Sequence, residues 1–148
     1  MLNKILRTDD EYASLVLRVM LGLVFFPHGA QKLFGWFGGN GFSATMGFFT
    51  TQAGIPTIFA FLAIMAESVG ALALIAGFFT RVAALGIAVN MVICALANHL
   101  QHGFFMNWFG QQKGEGFEFH ILAVALAAGL IIKGGGRWSV DGVLSKNG

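Results

Sequence analysis

Four histidines, two carboxylates and two cations stand within or at the edges of apolar stretches, and these are the residues able to do chemistry: His28, His99, His102 and His120, Glu67 and Glu118, Arg18 and Lys32. An ionised side chain at mid-bilayer costs ~2.5–3.5 kcal/mol on insertion scales, so such groups face inward and are paired. Histidines and carboxylates can ligate a metal. Two histidines at equal depth on different helices can hold a b-type haem, and His28 and His99 are the candidates. Protonatable groups beneath an aromatic rim suit a quinone, whose carbonyls accept hydrogen bonds and which exchanges protons on reduction. No helix carries an HxxxH or ExxH pair, so no metal ligands are assigned. Haem and metal stay open beside quinone, and no catalytic residue is assigned. The structural alternative is a polar network that fixes helix register.

Spacing groups these residues. At ~100° per residue, Arg18, His28 and Lys32 lie at roughly 0°, −80° and −40° and share one helix face with Gly22 and Gly29. Glu67 shares its face with Ala60, Ala63, Gly70 and Ala71, the small side chains that let another helix approach. Depth, at ~1.5 Å per residue, pairs Glu67 with His28 first and Lys32 next. A long Arg18 side chain is a third partner, or Glu67 stands neutral on its own. His99 and His102 are spaced i, i+3 and face the same way. Glu118 and His120 differ by ~200° and cannot share a face. The expected site is a cavity opening outward, bounded by His28, Glu67, His99 and Glu118, with Lys32 at its rim.

The elements that position these groups are membrane helices. Of 148 residues, 56% are hydrophobic and 11% charged, against about 25% charged in a soluble domain. The nine Lys and Arg form no basic run, which argues against a nucleic-acid partner. Cys94 is the only cysteine, so neither an internal disulfide nor a dithiol centre can form. Four apolar stretches, about 13–34, 55–79, 82–100 and 117–132, approach the ~20 residues that a bilayer requires. They are rich in Leu and Ala and do not alternate in period two. The expected fold is all-α: one domain over 1–148, an integral membrane four-helix bundle with antiparallel helices. Pro27 should kink the first span. The charged start lacks a cleavage site, so that span should stay in the mature chain.

Lys4, Arg7, Arg81, Lys133, Arg137 and Lys146 flank one side of this topology, and Lys32 and Lys113 the other. The excess places both termini in the cytoplasm. The opposite loops, 36–54 and 101–116, carry Phe42, Met46 and Phe49, and Phe104, Phe105, Trp108 and Phe109. Both read as interfacial segments, either an aromatic belt or a roof over the cavity.

Three motifs stand in order along the chain: Arg18–Gly22 (RVMLG) with His28–Leu33 (HGAQKL), Glu67–Gly77 (ESVGALALIAG) with Thr80 and Arg81, and Gly134–Asp141 (GGGRWSVD). Together they resemble the DoxX family of small four-helix membrane proteins. The resemblance implies an inner-membrane location and a link to quinone-dependent oxidoreductase complexes, in which members act as small subunits. It marks Arg18, His28, Lys32, Glu67, Arg81, His99 and Glu118 as family positions, without a catalytic role for any of them. His102 and His120 stand outside the pattern.

Two functions follow as expectations. One is an accessory redox subunit that holds quinone through His28, Lys32, Glu67, His99 and Glu118. With no nucleotide or iron–sulfur motif, it would need a redox partner protein or a second copy of itself. The other is a non-catalytic scaffold or assembly protein whose polar network is structural.

Overall fold

The computed structural model describes residues 5–8 and 10–146. Lys4, Asp9 and the side chain of Lys146 lie outside that description. The described chain is helical, without a strand.

Helix α1 spans Tyr12–Phe34, passes through Pro27 without a break, and ends at Gly35. A 3-10 turn (Trp36–Gly38), a short α2 (Gly41–Gly47) and a π turn (Phe48–Gln52) follow. Helix α3 spans Thr57–Ala76, after Pro56. Helix α4 spans Thr80–Cys94 and continues through a π turn (Ala95–His99) and a 3-10 turn (Leu100–His102). Helix α5 spans Glu118–Lys133, and a short α6 spans Val140–Lys146.

Three helical stretches are long and apolar enough to cross a membrane: Tyr12–Phe34, Thr57–Ala76 and Thr80–His102. The fourth expected span is shorter than the other three. Helix α5 has 16 residues, ~24 Å at ~1.5 Å each, against a hydrocarbon core of ~30 Å.

Helix α1 packs on α3 and α5, and α4 packs on the same two. Their shared core contains Leu21 and Phe25, Ala71 and Leu74, Ile87 and Met91, and Ala123, Ala127 and Leu130. Small residues bring α1 and α3 into backbone contact. A Cβ on Gly29 would collide with the backbone of Glu67 and Ser68, and one on Gly22 with Ala71 and Ile75. Larger side chains point the other way: Val16, Met20, Leu23, Ile58, Leu62, Val69, Leu72, Val82, Leu85, Val89, Ile121 and Leu122 are exposed. An apolar mantle around helices that meet through small residues is the pattern of helices solvated by lipid.

The turn between α3 and α4 depends on Gly77. Its φ of 70° is the left-handed conformation that ends α3, with Gly77 N–H donating to Leu74 O and Phe78 N–H to Ala73 O. This is a Schellman closure, and glycine adopts it without a Cβ penalty.

Candidate functional site

The small-residue contact places the buried charge. Gly29 lies one turn before Lys32, so the close approach of α1 sets Lys32 beside Glu67. The Lys32 ammonium donates to Glu67 Oε2, and Asn90 Nδ2 of α4 donates to Oε1 at 2.7 Å. The Glu67 side chain is 7% exposed and that of Lys32 26%. Three helices thus meet at one carboxylate. Both of its oxygens are engaged, as a charge removed from water requires. Lys32, the second-ranked partner in the sequence, makes the pair. Arg18 and His28 do not.

Lys32 also lines a recess of about 270 Å³, together with Gln31, Asn40, Thr45, Phe48 and Phe49. The loop after α1 forms its wall. Gln31 Nε2 donates to Phe37 O at 3.2 Å, and Gly39 lies so close to the Gln31 backbone that a Cβ there would collide. From the 36–54 segment, Gly38, Gly39, Asn40, Thr45, Phe48 and Phe49 border this recess.

The other expected members stand elsewhere. His28 is exposed, its ring 6.3 Å from Phe25. Glu118 Oε1 accepts the Met106 N–H at 2.8 Å, while its own N–H donates to Phe104 O; it ties the second loop to α5. His99 Nδ1 contacts Glu115 O at 2.9 Å, and its ring faces His120 with centroids 4.2 Å apart. Among the described residues, no hydrogen bond or ring contact joins His28, Glu67, His99 and Glu118 to one another. Lys32 and Glu67 make one centre, His99 and His120 a second, and His28 and Glu118 belong to neither. Sequence reasoning placed Asn90 in a span without giving it a role. Its amide among apolar neighbours was the available signal.

The DoxX family profile matches residues 13–100, more than half of the chain. The chain belongs to the DoxX family. Neither a curated protein nor a solved structure matches it. The matched region holds Arg18, Lys32, Glu67, Arg81, Asn90 and His99.

In this DoxX protein the other motif residues act on backbone. Arg18 is 1% exposed. It donates to Gly135 O at 2.8 Å, Leu74 O at 3.2 Å, Ile75 O, Arg137 O at 3.2 Å and Trp138 O at 3.0 Å. A guanidinium has five N–H groups, so these bonds match its full donor capacity. Leu74 and Ile75 carry carbonyls at the end of α3, where the helix dipole favours a cation; Leu74 O also accepts the Gly77 N–H.

Asp141, also 1% exposed, serves the next helix. Its oxygens accept the N–H groups of Phe79 at 2.7 Å and Thr80 at 2.8 Å. That holds Phe79 at a left-handed φ of 46°, a strained value for a bulky residue. Gly77 is again decisive, because a Cβ there would meet Ser139 and the Arg18 guanidinium carbon. Arg81 donates to Ile131 O, to Ile132 O at 2.8 Å and to Arg7 O at 3.0 Å, which closes the end of α5. The tail motif is thus a clasp across the ends of α1, α3 and α4.

Proposed function

We propose that this DoxX-family protein is an accessory subunit of a quinone-linked oxidoreductase complex in the bacterial inner membrane. A quinone headgroup sits in the recess beside Lys32. The observation that carries this reading is Lys32, which lines that recess and is paired behind it with Glu67, itself bonded to Asn90. The ammonium is a donor for a quinone carbonyl, and Glu67 is a carboxylate that can hold a proton as the ring is reduced. Phe48 and Phe49 offer apolar faces for the ring. At about 270 Å³ the recess suits a headgroup whose hydrocarbon tail stays in lipid.

The proposed topology is an antiparallel four-helix bundle with both termini in the cytoplasm, supported by the excess of Lys and Arg on the termini side. The short α5 crosses with local bilayer thinning and with Lys133 reaching outward at its end. Electrons come from a partner protein or a second copy, since the chain has a single cysteine and no nucleotide or iron–sulfur motif.

The test is quinone extraction from protein purified in mild detergent. Wild type should carry quinone, and Lys32→Met should lose it; because that variant leaves Glu67 unpaired, Lys32→Met with Glu67→Leu is its control and should lose quinone while keeping its membrane yield. A wild type without quinone, or a Lys32→Met variant with full occupancy, would refute the reading.

The clasp favours a second reading. Arg18, Arg81 and Asp141 contact backbone, the work of residues that hold a shape, so a scaffold role would account for those motif positions. A quinone-free wild type would favour it.

A further inference from the structure

Beyond the Lys32 centre, the geometry points to a transition-metal site made by Cys94, His99 and His120, with one thiolate and two imidazoles holding a Zn²⁺ or Cu⁺ ion. One donor atom from each residue lies within 4.8 Å of those of the other two. Metal–sulfur and metal–nitrogen bonds of about 2.3 and 2.0 Å place donors roughly 3.3–4 Å apart across an ion. Small side-chain rotations therefore close the site.

Three independent features shape it. The first is the π turn over Ala95–His99, in which Leu100 N–H bonds to Ala95 O. In a regular α-helix, residues five apart are ~140° apart around the axis. Bonding between i and i+5 widens the turn and brings Cys94 and His99 toward one side. Such turns mark functional sites in otherwise regular helices.

The second is the tautomer of His99. Its Nδ1 faces Glu115 O at 2.9 Å, and a carbonyl can only accept. Nδ1 therefore carries the hydrogen, and in the neutral ring Nε2 keeps its lone pair. A ligating histidine is held by this arrangement, its second nitrogen donating to backbone or carboxylate.

The third is His120. It is 6% exposed, and its Nδ1 is buried without a hydrogen-bond partner. Buried polar atoms in native structures are usually satisfied, and an ion held with His99 and Cys94 would satisfy this one when it is ligated through Nδ1. Thiolate and imidazole select soft and borderline ions over Mg²⁺ or Ca²⁺. Three protein donors complete a trigonal Cu⁺ site, or leave Zn²⁺ a fourth, exchangeable position.

The test uses full-length protein in detergent, stripped with chelator, with Co²⁺ as the optical probe for the zinc arm and competition against a chromogenic Cu⁺ chelator for the copper arm. One ion per chain should bind in at least one arm. The Co²⁺ complex should show a thiolate charge-transfer band that Cys94→Ser abolishes. Cys94→Ser and His120→Asn should each weaken binding by more than the roughly 10–100-fold that follows loss of an outer-shell partner, and His28→Ala should bind as wild type does. If the variants do not fold, wild-type Cys94 serves: the bound ion should slow its alkylation by maleimide at least tenfold. No stoichiometric binding in either arm, wild-type affinity in the variants, or alkylation unaffected by metal would overturn the site. These readouts follow the metal and the Cys94 thiol, not quinone, so failure of this site and failure of the recess are distinguishable.

Discussion

Replacing Glu67 with Leu removes a carboxylate that accepts from both Lys32 and Asn90. Breaking a buried pair from one side costs about 3–5 kcal/mol, because a charge is left uncompensated. The Lys32 side chain is 26% exposed and lines the recess, so its ammonium can turn toward water. That places the cost at the lower end, about 3 kcal/mol. Glu67→Gln keeps one acceptor oxygen for Asn90 or Lys32 and should cost about 1–2 kcal/mol. Removing both charges, in Lys32→Met with Glu67→Leu, should recover most of the loss, since well-packed apolar substitutes for a buried pair are close to neutral. At about 2–4 °C per kcal/mol, Glu67→Leu should melt roughly 6–12 °C below wild type. Thermal melts in one detergent, followed by circular dichroism, test the order: wild type, then Glu67→Gln and the double variant, then Glu67→Leu. Equal melting of Glu67→Gln and Glu67→Leu, or a double variant no better than Glu67→Leu, would refute the buried-pair argument.

Asp141→Ala leaves two buried N–H groups at the start of α4 unpaired and should cost about 3 kcal/mol; Asp141→Asn keeps one acceptor and should cost about half of that. Denaturant titration of both variants checks the ratio. Reporter fusions after Lys113 and after Lys146 should report opposite sides of the membrane, with the second cytoplasmic; a periplasmic signal after Lys146 would reverse the topology.

Periodicity made the first helix almost fully legible. Of the buried positions in α1, Ser14, Arg18, Leu21, Gly22, Phe25 and Gly29 fall within an arc of roughly 100° at ~100° per residue, and only Ala30 lies outside it, by about 80°. Lys32 lies inside that arc and His28 about 20° beyond its edge. Depth alone favoured His28; the angle decides for Lys32. The small face around Glu67 likewise foretold its contact with α1. The clasp was not legible, because Arg18 meets Gly135 across 117 positions of sequence and Asp141 meets Thr80 across 61. No local period encodes such pairings. Cys94 and His99 were hidden for another reason: a π turn breaks the angular rule by which a helix face is read.

The clasp also imposes an order on how the chain is made. Arg18 enters the membrane with the first helix, while three of its five carbonyl partners belong to residues 135, 137 and 138. Chains emerge from their N-terminal end, so this guanidinium lacks its full set of acceptors until residues 135–138 have been made. The α3–α4 turn waits likewise for Asp141. The motif arrives after every helix that it clasps, and closes them. A chain halted before Gly135 would leave Arg18 with the Leu74 and Ile75 carbonyls alone, a buried cation short of three of its five acceptors.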